Sequence, residues 1–150
     1  MTENPHFQSA RSFKAARAML TFTPVEPKYT AKRKLQSIRI YVRDHKMREL
    51  AVGDRTLEAY YGSFSVSQAR RGAAEARRLA LEVPYGRSPK DVRIGKCAGR
   101  MYELGPEPEP DDIDGRMPAV VVWHDGEMHF LIASHEMAAG ELAKIALSFY

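Results

Sequence analysis

Five consecutive apolar residues, Ala119-Val120-Val121-Val122-Trp123, run into the turn signal His124-Asp125-Gly126, and a second strand-like run, Glu127 to Ser134, follows. Asp-Gly between two such runs predicts a β-hairpin. Beyond it Leu142, Ile145, Ala146 and Phe149 recur at i, i+3, i+4 and i+7, the spacing of one helical face, so a closing helix is predicted to lie against that hairpin. Leu35 to Asp44 alternates cleanly, with Ile38, Ile40 and Val42 on one side and Arg39, Tyr41 and Arg43 on the other. That pattern calls for a sheet with one packed and one wet face, as antiparallel sheets allow. Met47 to Val52 predicts a further strand. Thr56 to Ser67 predicts a longer one, in which Leu57, Ala59 and Tyr61 share a face up to a bulge at Gly62, with Phe64 and Val66 resuming the alternation. Asp91 to Lys96 and Cys97 to Leu104 complete the set as two short strands.

Two more helices are expected. Ser9 or Ser12 can cap a short one reaching Leu20, with Phe13, Ala16 and Leu20 buried; Pro24 and Pro27 then hold the chain extended. Gln68 to Val83 is rich in alanine and arginine and ends at Pro84. Ala69, Ala73, Ala76, Ala80 and Val83 fall on its one small-residue face, and Arg70, Arg71, Arg77 and Arg78 lie largely off it. Residues 1–8 read as a flexible arm and 105–118 as an acidic, proline-rich loop, within a single domain spanning 1–150.

Composition narrows the classes. Hydrophobic residues make up 44% of the 150, enough for one globular core. No apolar run approaches the roughly 18 residues that span a bilayer. The first residues lack the basic and apolar segments of a secretory signal, so a cytoplasmic chain is expected. The lone Cys97 fits a reducing compartment and the role of a small core residue. Charge is split along the chain. Residues 101–150 hold 2 Lys/Arg against 10 Asp/Glu, leaving 21 and 9 of the 23 basic and 19 acidic residues in 1–100. Such asymmetry marks either a polyanion surface or two parts that neutralise each other.

Catalytic chemistry finds little footing. Glu107, Glu109, Asp111, Asp112 and Asp114 crowd one loop, but not at the spacing of a calcium loop. His129 lies five residues from His124 and six from His135; odd spacing splits faces along one strand, and no HExxH and no second cysteine supports the set, which argues against zinc. Ser134 lies in no G-x-S-x-G elbow and suits a turn or cap before the last helix. No phosphate-cradling glycine loop or dinucleotide fingerprint occurs. No metal, no cofactor and no enzymatic activity are expected. Polyanion binding has the better surface: Arg39, Tyr41 and Arg43 on a wet strand face, with Arg70, Arg71, Arg77 and Arg78 on the middle helix.

The order of the pieces carries a resemblance. An Ala-rich helix leads to Phe22-Thr23-Pro24-x-x-Pro27-Lys28-Tyr29 and an alternating strand, and the chain closes with Val120-Val121-Val122-Trp123-x-Asp125-Gly126, a strand, and Glu141-Leu142-Ala143-Lys144-Ile145-Ala146-Leu147-Ser148. This resembles the uncharacterised bacterial domain at the C-terminal end of some anti-sigma-factor-like and lipoprotein-type proteins, which is similar in turn to the lipoprotein-carrier fold. The resemblance implies no catalytic residues. It implies a strongly curved antiparallel sheet with helices in its concave side. With the elements read above, the expected fold is α+β, a curved, mostly antiparallel sheet of about six or seven strands with three helices. The N- and C-terminal helices pack on the apolar face and the middle helix closes one end. The function expected is non-catalytic binding or regulation in a groove between sheet and helices, and the aromatic residues Tyr60, Tyr61, Phe64, Trp123 and Phe130 are the candidates to line it. The ligand would be an apolar small molecule, a peptide or a partner protein. Nucleic-acid binding through the basic residues is the first alternative, and an enzyme with no recognisable motif the second.

Overall fold

The computed structural model describes residues 6–85, 88–111 and 115–150. In chain order the elements are β1 (Phe7–Ala10), α1 (Phe13–Arg17), β2 (Ser37–Tyr41), β3 (Thr56–Tyr60), β4 (Ser65–Arg70), α2 (Ala73–Leu81), β5 (Lys90–Ile94), β6 (Cys97–Tyr102), β7 (Ala119–Asp125), β8 (Met128–Ser134) and α3 (Ala139–Leu147). The strands form one open antiparallel sheet in the order β1-β2-β3-β4-β8-β7-β6-β5. Each half is a four-stranded meander of chain neighbours. The halves meet where β4 pairs with β8, Val66 opposite Ile132 and Gln68 opposite Phe130.

The sheet has eight strands rather than six or seven, for three local reasons. The arm is not loose throughout: Phe7 and Gln8 pair with Tyr41 and Ile40, which adds β1, while residues 1–5 lie outside the described residues. Thr56 to Ser67 is two strands, because Gly62 at φ 83° turns the chain instead of bulging it and the Tyr61 N–H closes onto the Phe64 carbonyl at 2.9 Å. Met47 to Val52 forms only the single bridge Arg43–Glu49 before a short 3-10 turn at Val52–Asp54. The middle helix is shorter than its alanine pattern. Pairing with β8 holds Gln68, Ala69 and Arg70 in β4, and Gly72 at φ 81° then turns the chain so that α2 begins at Ala73. α1 starts where expected, capped by Ser12, whose Oγ accepts the Ala15 N–H at 3.0 Å, but it ends at Arg17.

The two faces are packed differently. On the front, Ile38, Ile40, Leu57, Ala59 and Val66 of one meander and Val121, Trp123, Phe130 and Ile132 of the other share a continuous core with Phe13 and Ala16 of α1 and with Leu142, Ile145 and Phe149 at the C-terminal end. The terminal helices therefore lie on the apolar face, as their spacing predicts. Between them an irregular strap, residues 18–36, crosses the front with Phe22, Val25 and Leu35 packed inward. The back is covered only over part of its width. There α2 packs on β6, β7 and β8, and the small side chains of Ala76 and Ala80 are fully buried, Ala80 against Tyr102, Val120 and Val122. The middle helix thus forms a third layer instead of closing an end. It explains the uninterrupted apolar run of β7, which is buried on both faces from Ala119 to Trp123. Gly99 permits the tight β6–β7 approach: a Cβ there would lie 2.6 Å from the Val122 carbonyl oxygen and 2.8 Å from Trp123 Cβ. No helix among the described residues is long and apolar enough to cross a membrane.

Candidate functional site

Because α2 stops short of β2 and β3, the back of the first meander is left uncovered by any helix. Strand alternation and register put Arg39 and Tyr41 of β2, Thr56, Glu58 and Tyr60 of β3, and Ser65 and Ser67 of β4 on this face. Each of these residues is intermediate in burial, against the fully buried front-facing residues between them. Phe7 of β1 joins them opposite Tyr41, its ring edge-on to Tyr41 with centroids 5.9 Å apart.

At the centre of the face the Arg39 guanidinium lies over two rings, 4.4 Å from the Phe7 centroid and 4.7 Å from that of Tyr60. Cation–π contacts of this kind are worth about 0.5–1 kcal/mol each at a part-exposed site. Glu58 lies directly opposite Arg39 in the β2–β3 register. Its carboxylate Oε2 instead accepts a hydrogen bond from the Tyr60 hydroxyl and another from the Tyr41 hydroxyl at 3.3 Å. Burial first, and then the Glu58 contact, push the Tyr60 phenol well above its ordinary range, so it remains a donor at any working pH. At one end of the face Tyr60, Ser63, Ser65, His135 and Glu136 border a cleft of about 470 Å³. The Arg33 Nε reaches this rim, donating to Ser63 Oγ at 2.8 Å.

The predicted residues divide by environment. Tyr61, Phe64, Trp123 and Phe130 are buried front-face core, Tyr61 stacked on Phe64 at 4.7 Å and Trp123 on Phe130 at 5.0 Å. Tyr60 points the other way and belongs to the open face. Of the basic set, Arg39 and Tyr41 are on this face, and Arg43 continues the alternation beyond β2, its Nη1 donating to the Met47 carbonyl at 3.3 Å. Arg70 and Arg71 are not helical. Arg70 ends β4 in an ion pair with Glu127 at 2.6 Å, and Arg71 continues the strand, bonding Thr56 Oγ1 at 2.6 Å. Arg77 and Arg78 are on α2, facing Glu82 at 3.9 Å and Glu75 at 2.5 Å. Among the described residues, then, Arg39, Arg43 and Arg71 are the arginines of that set that make no direct ion pair, although Arg71 lies close enough to Glu75 to help hold its carboxyl below the usual range. Phe7 and Glu58 were not singled out by sequence, though Glu58 holds a polar slot in the alternation of β3.

The histidines also gain a new arrangement. His124 and His129 are cross-strand partners in the β7–β8 hairpin and so share the back face, because odd spacing separates faces only along a single strand. His129 is buried and its Nε2 has no hydrogen-bond partner among the described residues. Burial, with Arg71 and His124 adding repulsion, pulls its pKa down from 6.5 to about 4. Among the described residues no three metal-ligating side chains gather, and Asp112 and Asp114 lie outside the described residues. Ser134 acts as the expected turn residue, its Oγ accepting the Glu136 and Met137 N–H groups and donating to the Ser63 carbonyl.

His129 makes acid sensitivity predictable. Between pH 6.5 and 4 the unfolded chain binds this proton and the folded chain does not, so stability falls as pH falls through that window, by about 3 kcal/mol at its lower end. His124, lowered by burial and Arg77, acts in the same direction. Urea unfolding of wild type and His129→Leu at pH 7.5 and 5 should give a clearly smaller acid loss in the variant. Equal losses would assign the sensitivity elsewhere.

Compared with protein-family models, with curated proteins and with solved structures, the chain matches none.

Proposed function

We propose that this chain is a non-catalytic recognition module and that its binding surface is the uncovered back of β1–β4, with single-stranded nucleic acid as the ligand. The observation that carries the reading is that Arg39, Arg43 and Arg71, none of them in a direct ion pair among the described residues, share one sheet face that also presents Phe7, Tyr41 and Tyr60. Cations that track a phosphate backbone, interleaved with aromatic rings on which bases stack, are what sequence-tolerant binding of single strands requires. The resemblance to anti-sigma-factor-like and lipoprotein-type domains favours recognition over catalysis, with the surface on the back of the sheet instead of in a front groove. An apolar ligand on the front would have to displace the strap and the aromatic core beneath it, whereas the back of the first meander needs no rearrangement.

The test is fluorescence anisotropy with a labelled 12-nucleotide oligothymidylate. Binding is expected at 50 mM salt. If about three phosphates are neutralised, affinity should drop roughly twenty-fold by 200 mM. Arg39→Gln should weaken binding by about tenfold, the loss of one charge-assisted hydrogen-bonded contact. No binding at low salt, or binding indifferent to salt, would overturn the reading.

A further inference from the structure

We propose that Tyr41 and Tyr60 act as a charge gate for Arg39: by holding Glu58 they keep it from neutralising the guanidinium, which stays open to grip a backbone phosphate through two parallel N–H bonds. The inference rests on the reading of the open face given above and names the atoms that recognise the ligand.

Arg39 and Glu58 occupy directly opposed positions on neighbouring strands and the same face. Opposite charges so placed sit about 5 Å apart at Cβ and ordinarily pair. Here they do not. The Glu58 carboxylate is taken by the hydroxyls of Tyr60 and Tyr41, themselves 3.5 Å apart. The Arg39 guanidinium lies over the Phe7 and Tyr60 rings, and its side chain makes no hydrogen bond or ion pair among the described residues. A guanidinium held over two rings at these distances is fixed in place by both. A planar fork of fixed orientation suits two oxygens of one phosphate, and its rotamer entropy has been spent before the ligand arrives. Tyr60 therefore has two functions, a ring that orients the arginine and a hydroxyl that restrains its competitor. Tyr41 supplies a second hydroxyl and, through its edge contact with Phe7, supports the Phe7 ring. Both are positioning residues, and Arg39 is the one that touches the ligand.

The decisive variant removes no charge. Tyr41→Phe/Tyr60→Phe keeps both rings and every arginine but frees Glu58 to pair with Arg39. It is expected to weaken oligothymidylate binding by about tenfold, as far as Arg39→Gln does. Adding Glu58→Gln to the double variant should restore wild-type affinity, and Glu58→Gln alone should bind at least as tightly as wild type. Unchanged thermal melting of each variant by circular dichroism confirms that folding is intact. If wild type binds and Arg39→Gln weakens it but the double phenylalanine variant binds normally, the gate is wrong and the assignment of the face survives. If the double variant weakens binding and Glu58→Gln fails to rescue it, the hydroxyls contact the ligand themselves and the gate is again wrong. If Arg39→Gln binds as wild type does, Arg39 is not the anchor and the inference falls. Wild type that binds no oligonucleotide removes the reading of the face and this inference with it.

Discussion

Replacing Gln68 with leucine is expected to lower the unfolding free energy by about 3 kcal/mol, although leucine is of similar size and far more apolar. Gln68 is fully buried on the front face, in the middle of β4. Its amide does for the strap what a neighbouring strand would do: Oε1 accepts the Val25 N–H at 2.7 Å and Nε2 donates to the Val25 carbonyl at 2.6 Å. Without it both backbone groups of Val25 lose their partner in a part-buried setting, each at a cost of about 1–3 kcal/mol. Gln68→Ala should cost about 1 kcal/mol more than Gln68→Leu, because it adds a cavity. Urea unfolding of the three proteins measures both differences. A leucine variant within 0.5 kcal/mol of wild type would mean that apolar contact alone holds the strap.

Trp123→Ala should destabilise by about 4 kcal/mol, the upper part of the range for aromatic truncation. The indole is fully buried where three packing directions meet. It stacks on Phe130 at 5.0 Å and 20°, meets Phe149 edge-on at 5.1 Å and 83°, and donates from Nε1 to the Tyr150 hydroxyl at 3.2 Å. That hydroxyl donates in turn to Asp125 Oδ2 at 3.0 Å, so losing the ring also loosens the end of the chain from the hairpin. Circular dichroism during urea unfolding gives the loss for the alanine variant. As Trp123 is the only tryptophan, its emission independently follows unfolding in the wild type. A loss under 2 kcal/mol would show that Phe130 and Phe149 close over the gap.

Much of this architecture was legible in local patterns, and what escaped was nonlocal. The alternation of Leu35 to Asp44 assigned Ile38 and Ile40 to the core and Arg39 and Tyr41 to the opposite face, and both assignments hold. Asp125-Gly126 gave the hairpin, and Leu142, Ile145 and Phe149 gave the buried side of the last helix. By contrast, β1 exists only because β2 pairs with it some thirty residues on, and nothing within residues 6–10 signals that. The alanine and arginine pattern ran unbroken across Gly72, hiding a strand end inside what looked like helix. The alanine spacing of α2 meant close packing but not on which side of the sheet. The five unbroken apolar residues of β7 were the available clue, since a strand wet on one face would alternate. For the candidate site, placing Tyr60 beside Tyr61 in one lining ignored the period of two that separates neighbours in a strand. Glu58 gave no signal of its own, because one carboxylate in a polar slot looks like any solvated side chain until the register brings it opposite an arginine.

The double burial of β7 has a cost whenever the chain is not folded. Val120, Val121, Val122 and Trp123 carry no charge and favour extended backbone, the composition from which intermolecular cross-β stacks grow. Pro118 on one side and Asp125 on the other act as gatekeepers, the first unable to donate to a foreign ladder and the second repelling its own copy in register. Variants that strip α2 from the back of the sheet would therefore forfeit solubility along with stability.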